Sequence, residues 1–161
     1  DTDRSRGLGD VYKRQLNNAA QMIAKADYTV FLGLGTSGSL SEYATKYFVN
    51  TGLRSFVISD PFQAVQVQGM GNVVAVIMSV SGETEQVVNK ELEFKSGGAK
   101  IISITNNEDC TVARLADHQL SYNLVNEWSK QYPLGNLTTQ LPVLAILEIL
   151  AHKSIDYLVK K

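Results

Sequence analysis

Two short segments rich in glycine and hydroxyl side chains have the composition of an anion-binding site. The first, GLGTSGS at residues 33–39, directly follows the apolar run YTVFL, and the second, SVSGET at residues 79–84, directly follows VVAVIM. Glycine lets backbone N–H groups approach a ligand closely, short hydroxyls donate hydrogen bonds to oxygen atoms, and a helix N-terminus adds partial positive charge. Each segment therefore predicts an anion cradle in a turn between a strand and a helix.

The number of hydroxyl groups in the two turns favours a terminal phosphate monoester as the anion. Such a group offers three oxygen atoms to several donors, whereas a dinucleotide site uses mainly bare backbone. The candidate binding residues are the hydroxyl side chains and glycines of the turns: Gly35, Thr36, Ser37, Ser39, Ser79, Ser81, Gly82 and Thr84. This interpretation needs no cofactor, and no spacing of His, Cys or carboxylate residues predicts a metal site.

Two other interpretations of these turns stay open. The spacing GxGxxG at residues 33–38, with Asp60 further along the chain, also satisfies the fingerprint of a dinucleotide site. Helix capping explains any single hydroxyl, since Ser39 and Glu42 have the spacing of a capping box and Ser81 precedes the next predicted helix. Capping alone does not explain why both turns are rich in hydroxyls.

Predicted strands and helices alternate along the chain, which indicates an α/β fold with a parallel sheet. The predicted strands are residues 28–34, 55–59, 72–80, 100–105 and 119–124. The predicted helices begin at residue 16, after each of the two turns, at residue 111 and at residue 138, with a weaker helix at residues 62–68. The two turns meet only if the first and third strands are neighbours. The sequence therefore predicts the strand order 2-1-3-4-5, with the site at the switch point of the sheet.

Composition and charge exclude several classes of protein. The 161 residues suit one domain, and a net charge of −1 without clusters of Lys or Arg gives no footprint for nucleic acid. The single cysteine, Cys110, suits a reducing, cytoplasmic compartment. The apolar stretch at residues 141–151 is too short to span a bilayer, so we expect no membrane partner. Residues 1–15 lack periodicity and predict a non-native or disordered leader before a domain at residues 16–161.

The segments GLGTSGS, SVSGET and SITNNED resemble the SIS (sugar isomerase) domain family, and the resemblance covers about residues 16–158. It implies a flavodoxin-like, three-layer α/β/α sandwich. In that family, the residues that match Ser37, Ser39, Ser79, Ser81 and Thr84 hold the phosphate of a phosphosugar, together with nearby backbone amides. The resemblance is strongest for the phosphosugar-sensing domain of RpiR-type transcription regulators.

The resemblance also implies partners. RpiR-type regulators place a helix-turn-helix domain before the SIS domain, and no such domain precedes residue 16, so we expect DNA binding only through a domain absent from this chain. SIS domains usually dimerise, and the apolar C-terminal helix is the expected interface of a homodimer. Trp128, in a polar segment, is a candidate to line the sugar pocket or to contact a partner subunit.

Catalysis is a separate question, because aldose–ketose isomerisation needs a base to move a proton between two carbons. Glu127 lies roughly where SIS isomerases carry a glutamate base, although a solvated loop carboxylate is the favoured explanation. His118 and His152 are explained by packing at a strand end and on the last helix. No acid–base pair emerges, so we favour ligand sensing, with a phosphosugar isomerase that uses Glu127 as the alternative.

Overall fold

The computed structural model describes the backbone of residues 2–159 and the side chains of residues 12–158. Helices and strands alternate through this part of the chain. The helices are α1 Thr2–Lys25, α2 Thr36–Asn50, α3 Glu85–Ser96, α4 Thr111–Leu115 and α5 Leu141–Val159. The strands are β1 Tyr28–Leu32, β2 Ser55–Ile58, β3 Val73–Ser79, β4 Lys100–Thr105 and β5 His118–Ser121.

The strands form one parallel sheet in the order β2-β1-β3-β4-β5. Leu32 at the end of β1 lies beside Ile77 of β3, and Ser79 at the end of β3 lies beside Thr105 of β4. Because parallel strands end at the same edge of a sheet, the turns that follow β1 and β3 emerge side by side. The predicted α/β fold class and strand order are therefore confirmed.

Hydrophobic layers cover both faces of the sheet. Side chains alternate along β3, so Val76 packs with α1, α2 and α5, whereas Ile77 packs with α3 and α4. Phe31 of β1 meets Phe48 of α2 edge to face, with the ring centroids 4.8 Å apart. Every residue of β3 is buried, which explains its continuous apolar sequence. The result is the expected three-layer α/β/α sandwich.

The helix predicted at residues 62–68 is wrong, because the connection between β2 and β3 contains turns and irregular backbone instead. Its sequence alternates: Val65 and Val67 pack against the core on the α3 side, and Gln66 and Gln68 are exposed. An alternation of period two is typical of an extended chain rather than a helix. Val67 thus enters the core without helical structure around it.

Both ends of the chain also depart from the predicted boundaries. α1 begins at Thr2 rather than at residue 16, so the backbone of residues 2–15 is helical; that residues 1–15 are foreign to the domain stays a prediction. α5 begins at Leu141 rather than at Thr138, and the N–H of Thr138 donates to Oδ1 of Asn136 at 3.0 Å within the preceding loop. Within residues 2–159, none of the helices combines the length and the apolar character needed to cross a membrane.

Candidate anion-binding site

The turn after β1 brings the N-terminus of α2 close to the end of the sheet. Gly33 is needed in this turn because a Cβ there would lie 2.5 Å from the carbonyl oxygen of Ser37 and 2.8 Å from Oγ of Ser41. Gly35, with φ of +59°, is the N-cap residue of α2 and has no side chain with which to cap it. The first N–H groups of α2 are therefore left without a side-chain cap in the described part of the chain.

The turn after β3 is held in shape by its own serines. The N–H of Gly82 donates to Oγ of Ser79 at 2.9 Å, and the N–H of Glu83 donates to Oγ of Ser81 at 3.2 Å. Each serine oxygen accepts in these bonds, so each hydroxyl hydrogen remains able to donate to an anion. Thr84 is the N-cap residue of α3, yet among the described residues its side chain makes no capping hydrogen bond.

The capping explanation of these hydroxyls is wrong for both helices. Ser39 lies inside α2, after the N-cap Gly35, and therefore does not cap it. Ser81 lies before the N-cap Thr84 and binds the N–H of Glu83 within the turn instead. Two helix N-termini without capping side chains thus lie at neighbouring strand ends, an arrangement that favours an anion.

The two turns line one cavity of about 470 Å³ at the ends of β1 and β3. Six of the eight predicted binding residues line it: Gly35, Thr36, Ser37, Ser79, Ser81 and Thr84. Ser39 is exposed outside the lining, and Gly82 is buried against Cys110. Glu127, the predicted base, is exposed and does not line the cavity, although the next residue, Trp128, does.

The loop between β5 and α5 forms another wall of this cavity. Trp128 and Asn136 pair in a short antiparallel bridge, and the N–H of Ser129 donates to the carbonyl oxygen of Gly135 at 2.7 Å. Trp128, Leu134, Gly135 and Asn136 all line the cavity. The loop therefore brings an aromatic ring and an amide to the hydroxyl-rich turns.

A side chain at the end of this loop ties it to the first turn. The amide of Gln140, just before α5, donates to the hydroxyl of Thr36.

Most of the apolar and amide residues that line the cavity were not predicted from the sequence: Leu34, Met78, Val80, Val87, Leu134, Gly135 and Asn136. The one usable signal was Trp128, an aromatic residue in a polar segment.

No charged side chain is among the described residues that line the cavity. An anion there would therefore be bound by N–H and O–H donors rather than by a cationic side chain. Within residues 12–158, no group of three or more His, Cys, Asp or Glu side chains is arranged to hold a metal ion. The site thus has the chemistry of a neutral hydrogen-bonding cradle.

Two other features fall outside this site. Asp60, which the dinucleotide fingerprint would place on a ribose, instead accepts the N–H of Phe62 at 2.9 Å and does not line the cavity. A larger cavity of about 690 Å³ lies between residues 65–68 and α3, but its lining includes the carboxylate of Glu93 and neither hydroxyl-rich turn. Neither feature favours an anion.

Residues 22–150 match the SIS domain family. The chain belongs to this family. The chain is 31% identical over 150 residues to a probable arabinose 5-phosphate isomerase of Haemophilus influenzae. The aligned region covers 91% of this chain and 43% of that protein. The chain spans about a third to a half of the length of the curated relatives it matches.

Solved structures share the fold of this SIS domain. The NanR protein of Vibrio vulnificus complexed with ManNAc-6P has a TM-score of 0.72 and 17% identity, with coverage of 92% of this chain and 56% of that chain. The sugar isomerase domain of an RpiR transcription factor from Sphaerobacter thermophilus has a TM-score of 0.71 and 15% identity, with coverage of 91% and 80%. The resemblance to the sensing domain of RpiR-type regulators is thus confirmed at the level of the fold.

Proposed function

We propose that this SIS domain binds the phosphate group of a sugar phosphate in the cavity between the turns after β1 and β3. One observation carries the proposal: two helix N-termini without side-chain caps meet at a cavity lined by five hydroxyl side chains. A dianionic phosphate has enough oxygen atoms to accept from both helix ends and from several hydroxyls.

The remaining lining suits the sugar. The ring of Trp128 offers an apolar surface to the carbon skeleton, and Asn136 offers an amide that can hydrogen-bond to sugar hydroxyls. We infer that the phosphate lies against Ser37, Ser81 and Thr84, with the sugar extending toward the loop before α5. ManNAc-6P, the ligand of the NanR structure, has both of these parts.

We further propose that the domain senses its sugar phosphate within an RpiR-type regulator in the cytoplasm. The likeness to the RpiR transcription factor supports this role, and a net charge of −1 gives no indication that this domain itself binds DNA. DNA would then be bound by a separate helix-turn-helix domain. A ligand changes DNA affinity in such a protein only as far as it binds one arrangement better than another.

Thermal melting of the purified chain with ManNAc-6P, arabinose 5-phosphate and the unphosphorylated sugars tests the phosphate site. A ligand at a hundred times its Kd should add about 2.7 kcal/mol to stability, a Tm rise of about 5–10 °C. Ser81→Ala should remove most of this rise, because it deletes a donor in the cavity. Ser96→Ala, at the exposed end of α3, is the matched control and should keep it. A rise with the unphosphorylated sugars alone would contradict the proposal.

A phosphosugar isomerase is the second candidate, and the 31% identity to the probable arabinose 5-phosphate isomerase favours it. The backbone of Glu127 is fixed next to the cavity wall: its N–H donates to Oγ1 of Thr138 at 2.8 Å, and its carbonyl accepts the N–H of Leu137 at 2.7 Å. If Glu127 is the base, the stabilising sugar phosphate should be converted to its isomer, and Glu127→Gln should lower the rate at least about a hundredfold. Binding without conversion would leave the sensing role.

The domain is also proposed to form a homodimer through α5. The inner face of this helix packs in the core, whereas Leu141, Ala145 and Ile149 lie exposed on its outer face, with Leu141 at 72%. Ile149→Glu should shift the molar mass measured by light scattering toward the monomer, because a charge is costly in an apolar interface. Glu108→Gln, on an exposed loop, is the control. A monomeric wild type would refute the dimer.

A further inference from the structure

Glu83 differs from the other polar side chains of the second turn because it binds α4 and does not line the cavity. Its carboxylate accepts the N–H of Thr111 at 2.8 Å and the hydroxyl of the same residue at 2.7 Å. These two bonds, with a smaller contribution from Arg114, hold the pKa of Glu83 below its ordinary value. The carboxylate is thus ionised and paired on the side of α4.

A second link lies directly beside the first. The N–H of Val112 donates to the carbonyl oxygen of Gly82 at 3.0 Å, so two consecutive residues of the turn are bound to the start of α4. Ser81 and Thr84, which flank this bound pair, both line the cavity. The direction of their hydroxyls therefore depends on how residues 82 and 83 are held.

We propose that Glu83 is a positioning residue for phosphate: its contact with Thr111 holds the turn in the conformation that presents Ser81 and Thr84 to the cavity. The same contact keeps the negative charge of Glu83 directed away from the bound anion. This inference rests on the proposed function of the cavity. A turn that is already ordered loses less conformational entropy when the ligand binds, and therefore binds it more tightly.

Whether removal of Glu83 weakens or strengthens binding of the anion distinguishes a positioning role from simple charge repulsion. If Glu83 acted only as a charge near the phosphate, its removal would strengthen binding of the anion. If it positions the turn, its removal weakens binding, and loss of the neutral hydroxyl of Thr111 does the same. Thr111 does not line the cavity, so it reaches the ligand only through this contact.

Calorimetric titration of the full chain with ManNAc-6P and with inorganic phosphate tests this inference. Glu83→Ala, which breaks both hydrogen bonds, should weaken binding about five- to tenfold, and Thr111→Val, which breaks only the hydroxyl bond, should weaken it by less. The double variant should lose no more affinity than Glu83→Ala alone, because that substitution already breaks the whole contact. Thr111→Ser keeps the hydroxyl and should restore the affinity. Glu108→Gln, which removes an exposed charge from the loop before α4 and lies outside the cavity lining, should leave it unchanged.

The outcomes distinguish the inference from the proposed function. Unchanged or tighter binding by Glu83→Ala, or additive losses in the double variant, would overturn the role of Glu83 and leave the phosphate site standing. Failure of the wild type to bind either probe would overturn both. Tm values measured for each variant without ligand separate a loss of affinity from a loss of folded protein.

Discussion

Replacement of Gly82 by alanine should lower the free energy of unfolding by about 2–4 kcal/mol, because the new methyl group has no space and the backbone conformation is unfavourable. Gly82 has φ of +69°, and a Cβ there would lie 2.2 Å from Sγ and 2.8 Å from Cβ of Cys110. Cys110 is buried, and its thiol donates to the carbonyl oxygen of Asn107 at 3.1 Å. Denaturant unfolding of the two proteins measures the loss directly.

Gly52 provides the matched control for this prediction. It also has a positive φ, +93°, but nothing lies within 4 Å of the Cβ that alanine would add. Gly52→Ala should therefore cost only the backbone contribution, about 1 kcal/mol. Cys110→Ala combined with Gly82→Ala should recover part of the lost stability, since it removes the sulfur atom. Equal losses at Gly82 and Gly52 would show that the second turn is not tightly packed.

Glu91→Gln should raise the Tm at neutral pH and remove a fall in stability that the wild type shows as the pH rises. The Glu91 side chain lies in α3 with no exposed surface, and neither carboxylate oxygen has a hydrogen-bond partner in the described part of the chain. Burial raises its pKa from an ordinary 4.5 to about 8, against a smaller lowering effect of Lys95. A carboxylate in this position is costly unless it keeps its proton.

The direction of the pH dependence follows from proton binding. Between pH 4.5 and about 8 the folded state keeps a proton on Glu91 that the unfolded chain releases. The contribution of the protonated Glu91 side chain to stability is therefore fully present below pH 4.5 and is lost as the pH rises through about 8. Within this window each pH unit costs at most about 1.4 kcal/mol.

Melting curves recorded from pH 5 to pH 9 measure this dependence. The difference in Tm between Glu91→Gln and the wild type should grow with pH and level off above about pH 8. Glu108→Gln, which removes an exposed carboxylate, is the control and should follow the wild type. A Glu91→Gln variant with the same slope as the wild type would show that Glu91 does not retain its proton in the folded state.

The strand order and the hydroxyl-rich side of the cavity were predictable because local sequence determines both. The run VVAVIM has the character of a strand buried on both faces, and only one strand order brings the turn after it to the turn after β1. Residue type then predicts an anion cradle, since glycine and hydroxyl residues at strand ends have few other uses in such numbers.

The loop before α5 was not predictable in this way, because contacts between distant residues determine its path. The side-chain amide of Asn106 donates to the carbonyl oxygen of Leu124 at 2.8 Å and to Oδ1 of Asn126 at 3.0 Å, and its own oxygen accepts the N–H of Leu124. No periodicity in residues 122–140 signals these bonds. The buried position of Glu91 was hidden for a similar reason, since a helical glutamate is ordinarily exposed.

The two sides of the cavity differ in how well they tolerate amino-acid substitution. On one side, Thr36 begins α2 and Ser79 ends β3, so a substitution there acts on the sheet and its helices. On the other side, the pairing of Trp128 with Asn136 is a single bridge in an irregular loop, which can accept new side chains at little cost to the core. In the proposed site, affinity for phosphate and selectivity among sugars would therefore be encoded in separate stretches of the chain, and selection could alter the second without altering the first.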